Sequence, residues 1–231
     1  MGTSAANLTA DLGYIIGQTI GASSRLTTTA AERLLNKGQD KLVLKLYDRK
    51  CWRPLHELHK EASYTLTGAT SYDVYTVIGS STDYFGFVNA RLGTSFVDEV
   101  TIEEEYRIQS GGEYDPSADR PYICFYGYDT ASGHGNLPKI LVRPYTSTEI
   151  LYFRYLKRPT TMQAATTAVA ACLPSECDDA MLFYAASMTW AGDRNSEEFS
   201  RFRALWNDEV DRLIMKYEEP VFHDVRYQPV E

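Results

Sequence analysis

The chain has 231 residues, of which 44% are hydrophobic and 23% charged, and this composition is typical of a folded globular protein rather than a disordered one. Its formal net charge of −8 argues against a protein that grips DNA through a basic face, because phosphate binding needs clustered Lys and Arg side chains. No apolar run of about 18 residues occurs, so we expect no transmembrane helix.

Apolar residues at helical spacing predict a first helix near the N-terminus, with Leu8, Leu12, Ile15 and Ile16 on one face. Glycines repeat every four residues on another face, at Gly13, Gly17 and Gly21. Such a stripe could let a second helix approach closely. We favour the simpler interpretation of a weak helix, because each interior glycine costs about 1 kcal/mol.

A second helix is predicted from Ala30 to Tyr47. Thr29 followed by Glu32 has the spacing of a capping box, in which each residue satisfies the backbone of the other. An amphipathic stripe supports the helix, at Leu34, Leu35, Leu42 and Leu46.

Residues 62–157 predict an antiparallel β region. Short runs rich in Tyr, Val and Ile, among them "YDVYTVIG", are separated by turn residues. Pro144 and Pro159 each close a strand, since proline cannot donate to a ladder. The segment "SFVDEVTIEEEYRI" is either a strand or a strand followed by a short helical turn.

A helical hairpin is predicted after the β region. Ser175 with Asp178 resembles a capping box, Gly192 ends the first helix, and Asn195 or Ser196 caps the second. The second helix carries a narrow apolar seam at Phe199, Phe202, Trp206, Val210, Leu213 and Tyr217. This seam either packs on the preceding helix alone or also faces the N-terminal helices and completes a four-helix bundle.

The last residues predict an extended tail that docks on a protein surface. Prolines forbid a long helix there, and the apolar content is too high for a purely solvated tail. The candidate partner-binding residues are Pro220, Val221, Phe222, Val225, Tyr227 and Pro229.

These elements predict an α+β fold, in which a helical bundle contains an inserted antiparallel β domain. The predicted parts are N-terminal helices at 1–50, an inserted β-rich domain at 51–160, a helical hairpin at 161–217 that completes the bundle, and a tail at 218–231.

No pattern in the sequence indicates catalysis, so we expect a non-enzymatic protein without a cofactor or a metal. His56 and His59 could share a helical face, but no third metal ligand is evident. The acidic run Glu103–Glu105 is interpreted as a solvated strand edge or loop. The four cysteines form no C-x-x-C pair, so reduced thiols are expected, at Cys51, Cys124, Cys172 and Cys177.

An alternative function is a carbohydrate-binding β module, because Tyr- and Trp-rich β domains stack against sugar rings. The tryptophans weaken this alternative. Trp52 precedes the predicted sheet, and Trp190 and Trp206 lie in the helical hairpin.

The order of these elements resembles the head-to-tail adaptor (connector) proteins of tailed bacteriophages. "LLNKGQDKLVLKLYD" is similar to the second helix of that family, with its Asn and Gln at Asn36 and Gln39. "CWRPLHELHKEASYTLTGATSYDVYTV" resembles the tryptophan-containing link into the first strands, although the Leu-Pro that often follows in the family is missing. "KILVRPYTSTEILYFRYLKRPTTM" resembles the later strands, and residues 174–217 resemble the closing helix pair.

The resemblance covers roughly residues 8 to 217 and implies a structural virion protein at the head–tail interface, assembled in the host cytoplasm. About twelve copies would form a ring beneath the portal and extend the DNA channel. The implied partners are the portal protein, reached through the C-terminal tail, and other neck or tail proteins. DNA would pass through the ring without sequence-specific binding, and no membrane is involved.

Overall fold

A computed structural model of the chain describes residues 2–22, 24–80, 83–109, 117, 120–129, 131, 136–144, 148–163 and 170–218. These residues form a mixed α+β structure with six α-helices and one seven-stranded sheet. The chain divides into two compact units. The helical unit comprises residues 1–57 and 159–231, and the β unit comprises residues 58–158.

The helices of the described residues are α1 (Ala5–Ile16), α2 (Thr28–Asp48), α3 (Val74–Ile78), α4 (Ile102–Gln109), α5 (Asp178–Gly192) and α6 (Ser196–Tyr217). The strands are β1 (His59–Thr65), β2 (Tyr72–Asp73), β3 (Tyr84–Leu92), β4 (Ser95–Val100), β5 (Tyr122–Tyr128), β6 (Pro138–Arg143) and β7 (Ile150–Lys157).

The start of α2 differs from the prediction by two residues. Thr27, not Thr29, is the N-cap, and its hydroxyl accepts a hydrogen bond from the Ala30 backbone N–H at 3.2 Å. The prediction of Thr29 was wrong because the chain offers three successive threonines, and a cap needs extended backbone, which Thr27 has. The helix itself spans the predicted range with small extensions at both ends.

In the helical unit, α1 packs on α2 and α5, α2 packs on α5 and α6, and α5 packs on α6. Fully buried leucines from α1 and α2 supply much of its core, at Leu8, Leu12, Leu35, Leu42 and Leu46. Helices α2 and α5 approach each other closely at Gly38. A Cβ atom at Gly38 would lie 2.9 Å from the backbone oxygen of Met181.

Substituting Gly38→Ala should therefore destabilise the protein by about 1–3 kcal/mol, because the added methyl group forces two packed backbones apart. Chemical denaturation followed by circular dichroism measures the change. Gly192→Ala is the matched control, since a Cβ there has nothing within 4 Å, and alanine is the better helix former. A Gly38→Ala protein as stable as the Gly192→Ala protein would contradict the close approach.

The sheet of the β unit has the strand order β1-β7-β3-β4-β5-β6-β2. Neighbouring strands are antiparallel, as predicted, except for β4 and β5, which are parallel. A parallel pair requires a crossover connection instead of a hairpin. Helix α4 lies in this connection between the two strands.

The β region contains two helices that interrupt the predicted strands. In "YDVYTVIG" only Tyr72 and Asp73 are extended, and α3 follows, so the prediction of a strand was wrong. Val74 and Val77 are both buried three residues apart, which is helical spacing, and Gly79 ends the helix with φ 70°. In "SFVDEVTIEEEYRI" the strand β4 is followed by α4, so the alternative with a helical turn is confirmed.

Candidate assembly surfaces

The C-terminal hairpin is formed by α5 and α6. Asn195 caps α6, and its side-chain oxygen accepts a hydrogen bond from the Glu198 backbone N–H at 3.2 Å. Of the two predicted caps, Asn195 and Ser196, the structure therefore has the first. The predicted cap by Ser175 and Asp178 was wrong. Ser175 begins a 3₁₀ turn that runs into α5, so its backbone is not available as an N-cap of that helix.

The apolar seam predicted on α6 lies mostly in the interior of the helical unit. Phe199 is half-buried, and the other members are buried, namely Phe202, Trp206, Val210, Leu213 and Tyr217. The Trp206 ring meets the Tyr184 ring of α5 edge-on, with centroids 5.7 Å apart, and the Arg203 guanidinium lies 4.3 Å from the Trp206 ring centroid. Because α6 also contacts α2, its partner is not α5 alone.

The end of α6 is fixed to the turn before α5. The Tyr217 hydroxyl donates to the Glu176 carboxylate, and Lys216 Nζ lies 2.5 Å from the same carboxylate. The hydrogen bonds from Lys216 and Tyr217 lower the pKa of Glu176, so the contact favours the ionised form. The C-terminal end of α6 is therefore held at a defined point.

The predicted partner-binding residues of the tail follow this point and lie outside the described residues. They are Pro220, Val221, Phe222, Val225, Tyr227 and Pro229.

Two amide side chains of α2 hold the segment that returns from the β unit. Asn36 Oδ1 accepts a hydrogen bond from the Met162 N–H at 2.7 Å, and Asn36 Nδ2 donates to the Met162 carbonyl at 3.1 Å. Gln39 Nε2 donates to the Thr160 carbonyl at 3.2 Å, and Gln39 Oε1 accepts from the Cys172 N–H at 3.1 Å. Both amides thus replace the backbone partners that an irregular segment lacks.

In the β unit, a buried carboxylate anchors α4 to the sheet. Glu105 accepts hydrogen bonds from the Tyr122 hydroxyl, from Gln109 Nε2 at 2.6 Å and from Arg143 at 3.3 Å. Burial and the neighbouring Glu105 raise the pKa of the Tyr122 phenol above its ordinary value, so it stays a hydrogen-bond donor. Glu105 is 5% exposed, so the prediction of a wholly solvated acidic run was wrong at this residue.

The other two glutamates of the run face outward. Glu104 and Thr101 form a capping box, with the Thr101 N–H donating to Glu104 at 2.7 Å and the Glu104 N–H donating to the Thr101 hydroxyl at 3.2 Å. Glu103 is exposed. Helix α4 is therefore fixed at its start by the box and along its inner side by Glu105.

Both units expose large apolar side chains. In the helical unit these are Tyr14, which is 89% exposed, Met215 and Leu44, and in the β unit they include Phe96, Ile102, Tyr106 and Tyr128. A groove of about 700 Å³ also runs along α1 beside Tyr14. Exposed apolar surface marks a site of protein association where it is contiguous, whereas single exposed apolar side chains are ordinary.

The sequence model of the SU10 adaptor protein matches residues 3–228 of the chain. The chain belongs to this family. The family is one of phage head-tail adaptors, so the resemblance found in the sequence is confirmed. No curated protein matches the chain.

As a member of the SU10 adaptor family, the chain is a structural component of a phage particle that associates with other head or tail proteins. Within the part of the chain that the structure describes, no helix is long and apolar enough to cross a membrane.

The remaining sequence candidates are the two histidines and the four cysteines. His56 is in a 3₁₀ turn and His59 begins β1, so the two do not share a helical face. Among the described residues, no group of three or more His, Cys, Asp or Glu residues could hold a metal ion. None of the four cysteines, all of which are among the described residues, forms a disulfide bond, and burial raises the pKa of Cys177 to about 12.

The tryptophans of the glycan-binding alternative also lie outside the sheet. Trp52 precedes β1, Trp190 is in α5, and Trp206 is buried in α6.

Proposed function

We propose that the chain is a head-to-tail adaptor whose copies form a ring beneath the portal, extend the DNA channel and join the head to the tail. The match to the SU10 adaptor family over residues 3–228 carries this proposal. The exposed apolar side chains of both units support it, because a protein that works in an assembly must present association surfaces.

In this proposal α1, α2, α5 and α6 form one helical bundle, and the β region is an insertion in it. The pairwise packing of the four helices supports the bundle. Asn36 and Gln39 support the insertion, since both bind the segment that brings the chain back to α5. The N-terminal helices at 1–50, the β domain at 51–160, the hairpin at 161–217 and the tail at 218–231 are then the working parts.

The ring has cyclic symmetry, with about twelve copies around the DNA channel. A net charge of −8 per copy amounts to roughly −96 for such a ring, which favours free passage of DNA over binding to it. The adaptor has no enzymatic role and needs no cofactor. It assembles in the host cytoplasm and remains in the virion at the head–tail interface.

The tail is proposed to reach the portal. Deleting residues 219–231 should abolish portal binding while the ring and the fold persist, because α6 ends on its own contacts to Glu176. Many equivalent tails bind through avidity, so the loss should be far larger than one weak contact suggests.

Purification of the tagged chain from cells that make its native assembly, followed by native mass spectrometry, measures both effects. A tail in which Val221, Phe222 and Tyr227 are changed to Ser keeps the length and serves as the matched variant. A ring bound to a portal-sized oligomer supports the proposal. A lone monomer would contradict the adaptor function, and a truncated chain that still binds the portal would contradict the role of the tail.

A further inference from the structure

The exposed apolar side chains of β4 and α4 lie on one side of the sheet. Asp98 of β4 pairs with Tyr122 of β5, and side chains of paired residues in neighbouring strands point to the same side. The Tyr122 hydroxyl binds Glu105, so α4 covers this side. Because side chains alternate along a strand, Phe96, two residues before Asp98, points to this side as well.

This α4 surface, defined by Phe96, Ile102 and Tyr106, is pre-formed and acidic. Phe96 is 72% exposed and Tyr106 is 73% exposed, and Glu105 and the capping box hold the helix that carries Tyr106. Asp98 is exposed on the same side of β4 as Phe96, and Glu103 is exposed on α4. A partner for this surface needs an apolar centre and positive charge around it.

Helix α2 of the same chain presents a face with this chemistry. Cations recur every four residues along it and all are exposed, at Arg33, Lys37, Lys41 and Lys45. Leu44, an apolar side chain that is 40% exposed, lies among them. Asp40 and Asp48 accompany the row, and Arg49 and Lys50 add exposed cations just beyond the helix. A ridge of residues four apart is the unit that packs into a partner surface.

We propose that the α4 surface of one copy binds the α2 face of the next copy in the adaptor ring. This inference rests on the ring of the proposed function and assigns its subunit contact. A ring needs two different, complementary faces on each copy, and the α2 face and the α4 surface meet that requirement by charge and by exposed apolar area. Their attraction offsets the mutual repulsion of copies that each carry −8.

The composition of both faces favours a protein partner over nucleic acid. Phosphate recognition uses the cations alone, whereas Leu44 within the row and the aromatic side chains of the α4 surface gain only from burial against another apolar surface.

The contact is tested by two charge-reversal variants of the full chain. The first carries Lys37→Glu and Lys41→Glu, and the second carries Asp98→Lys and Glu103→Lys. Each variant brings like charges together at every contact, so the fraction of chain in rings should fall at least about tenfold at low salt. Lys60→Glu with Lys157→Glu, which changes the net charge as much as the first variant does, should assemble normally.

Mixing the two variants is the decisive step. The acidic α2 face of the first variant then meets the basic α4 surface of the second, and the unchanged faces also match, so rings should return with the variants alternating. Native mass spectrometry counts both species, and circular dichroism verifies that each variant is folded. A chain carrying all four substitutions should also form rings.

The outcomes separate this inference from the function on which it rests. If the wild-type chain forms rings and both variants form them equally well, the α2–α4 contact is overturned but the adaptor ring is not. The wild-type chain is also tested for binding to duplex DNA. If it binds, and if the variant with Lys37→Glu and Lys41→Glu loses this binding but still forms rings, α2 is a nucleic-acid surface and the proposed contact is likewise overturned. Wild-type chain that is monomeric at every concentration overturns the ring and the contact together.

Discussion

Replacing Glu105 with Ala should destabilise the β unit by about 3–5 kcal/mol, because it removes the carboxylate of a buried ion pair together with the hydrogen bonds that it accepts. Arg143, the Tyr122 hydroxyl and Gln109 each lose a hydrogen bond to this carboxylate. Urea denaturation of the full chain, with hydrogen exchange resolved to α4, measures the loss. Exchange in α4 should accelerate more than exchange in the helical unit.

Glu104→Ala is the matched control for this prediction. Glu104 is the adjacent glutamate of the same helix, but its side chain only completes an exposed capping box. Its loss should cost much less than the loss of Glu105, because an exposed capping contact is screened by water. Glu105→Gln should fall between the two, because it keeps an acceptor for Tyr122 but removes the charge opposite Arg143. Equal stability of Glu105→Ala and Glu104→Ala would show that Glu105 does not anchor the helix.

The same substitution also bears on assembly. Helix α4 carries Ile102 and Tyr106, so a helix that leaves the sheet takes the proposed contact surface with it. The Glu105→Ala chain should therefore lose rings even though every residue of the α4 surface is intact. Glu104→Ala, which leaves the anchor in place, should keep them.

Local patterns in the sequence predicted the helical hairpin well. Apolar residues three and four apart define α6, and Asn195 caps it because its side chain acts on the backbone only three residues away. Signals of this kind depend only on residues of the segment itself, so they can be identified from the local sequence. The seam of α6 is buried for the same reason, since its spacing leaves a single narrow face for packing.

The β region was harder to predict because its short apolar runs fit both the two-residue period of a strand and the 3.6-residue period of a helix. Val74 and Val77 in "YDVYTVIG" have a β-branched composition that favours a strand, yet their joint burial requires a helix. The parallel pairing of β4 with β5 was missed as well. It depends on the path of the chain through α4, and no local pattern in either strand indicates it.

The buried polar contacts were out of reach for a different reason. The partner of Glu105 at Arg143 is 38 residues away, and the partner of Asn36 at Met162 is 126 residues away. Glu105 is indistinguishable in the sequence from its two exposed neighbours. Asn36 and Gln39 were singled out only through the resemblance to phage adaptors, because nothing local in α2 shows what their amides bind.

Asn36→Ala should destabilise the protein by about 2–4 kcal/mol, because the Met162 N–H and carbonyl both lose their partner inside the helical unit. Met162 is 1% exposed, so water cannot readily replace the amide. Thermal and urea unfolding measure the loss. Asn207→Ala, an exposed asparagine on α6, is the control and should change stability by less than about 0.5 kcal/mol.

Asn36→Asp separates the two hydrogen bonds. The carboxylate still accepts from the Met162 N–H, but it places an oxygen against the Met162 carbonyl where Nδ2 donated. This variant should therefore remain destabilised, and more so at neutral pH than in acid, where a protonated carboxyl can donate again. A double-mutant cycle of Asn36→Ala with Gln39→Ala should show coupling, since both amides hold the same returning segment. Strictly additive losses would mean that the two amides act independently, and that the segment is not held as one piece when it enters α5.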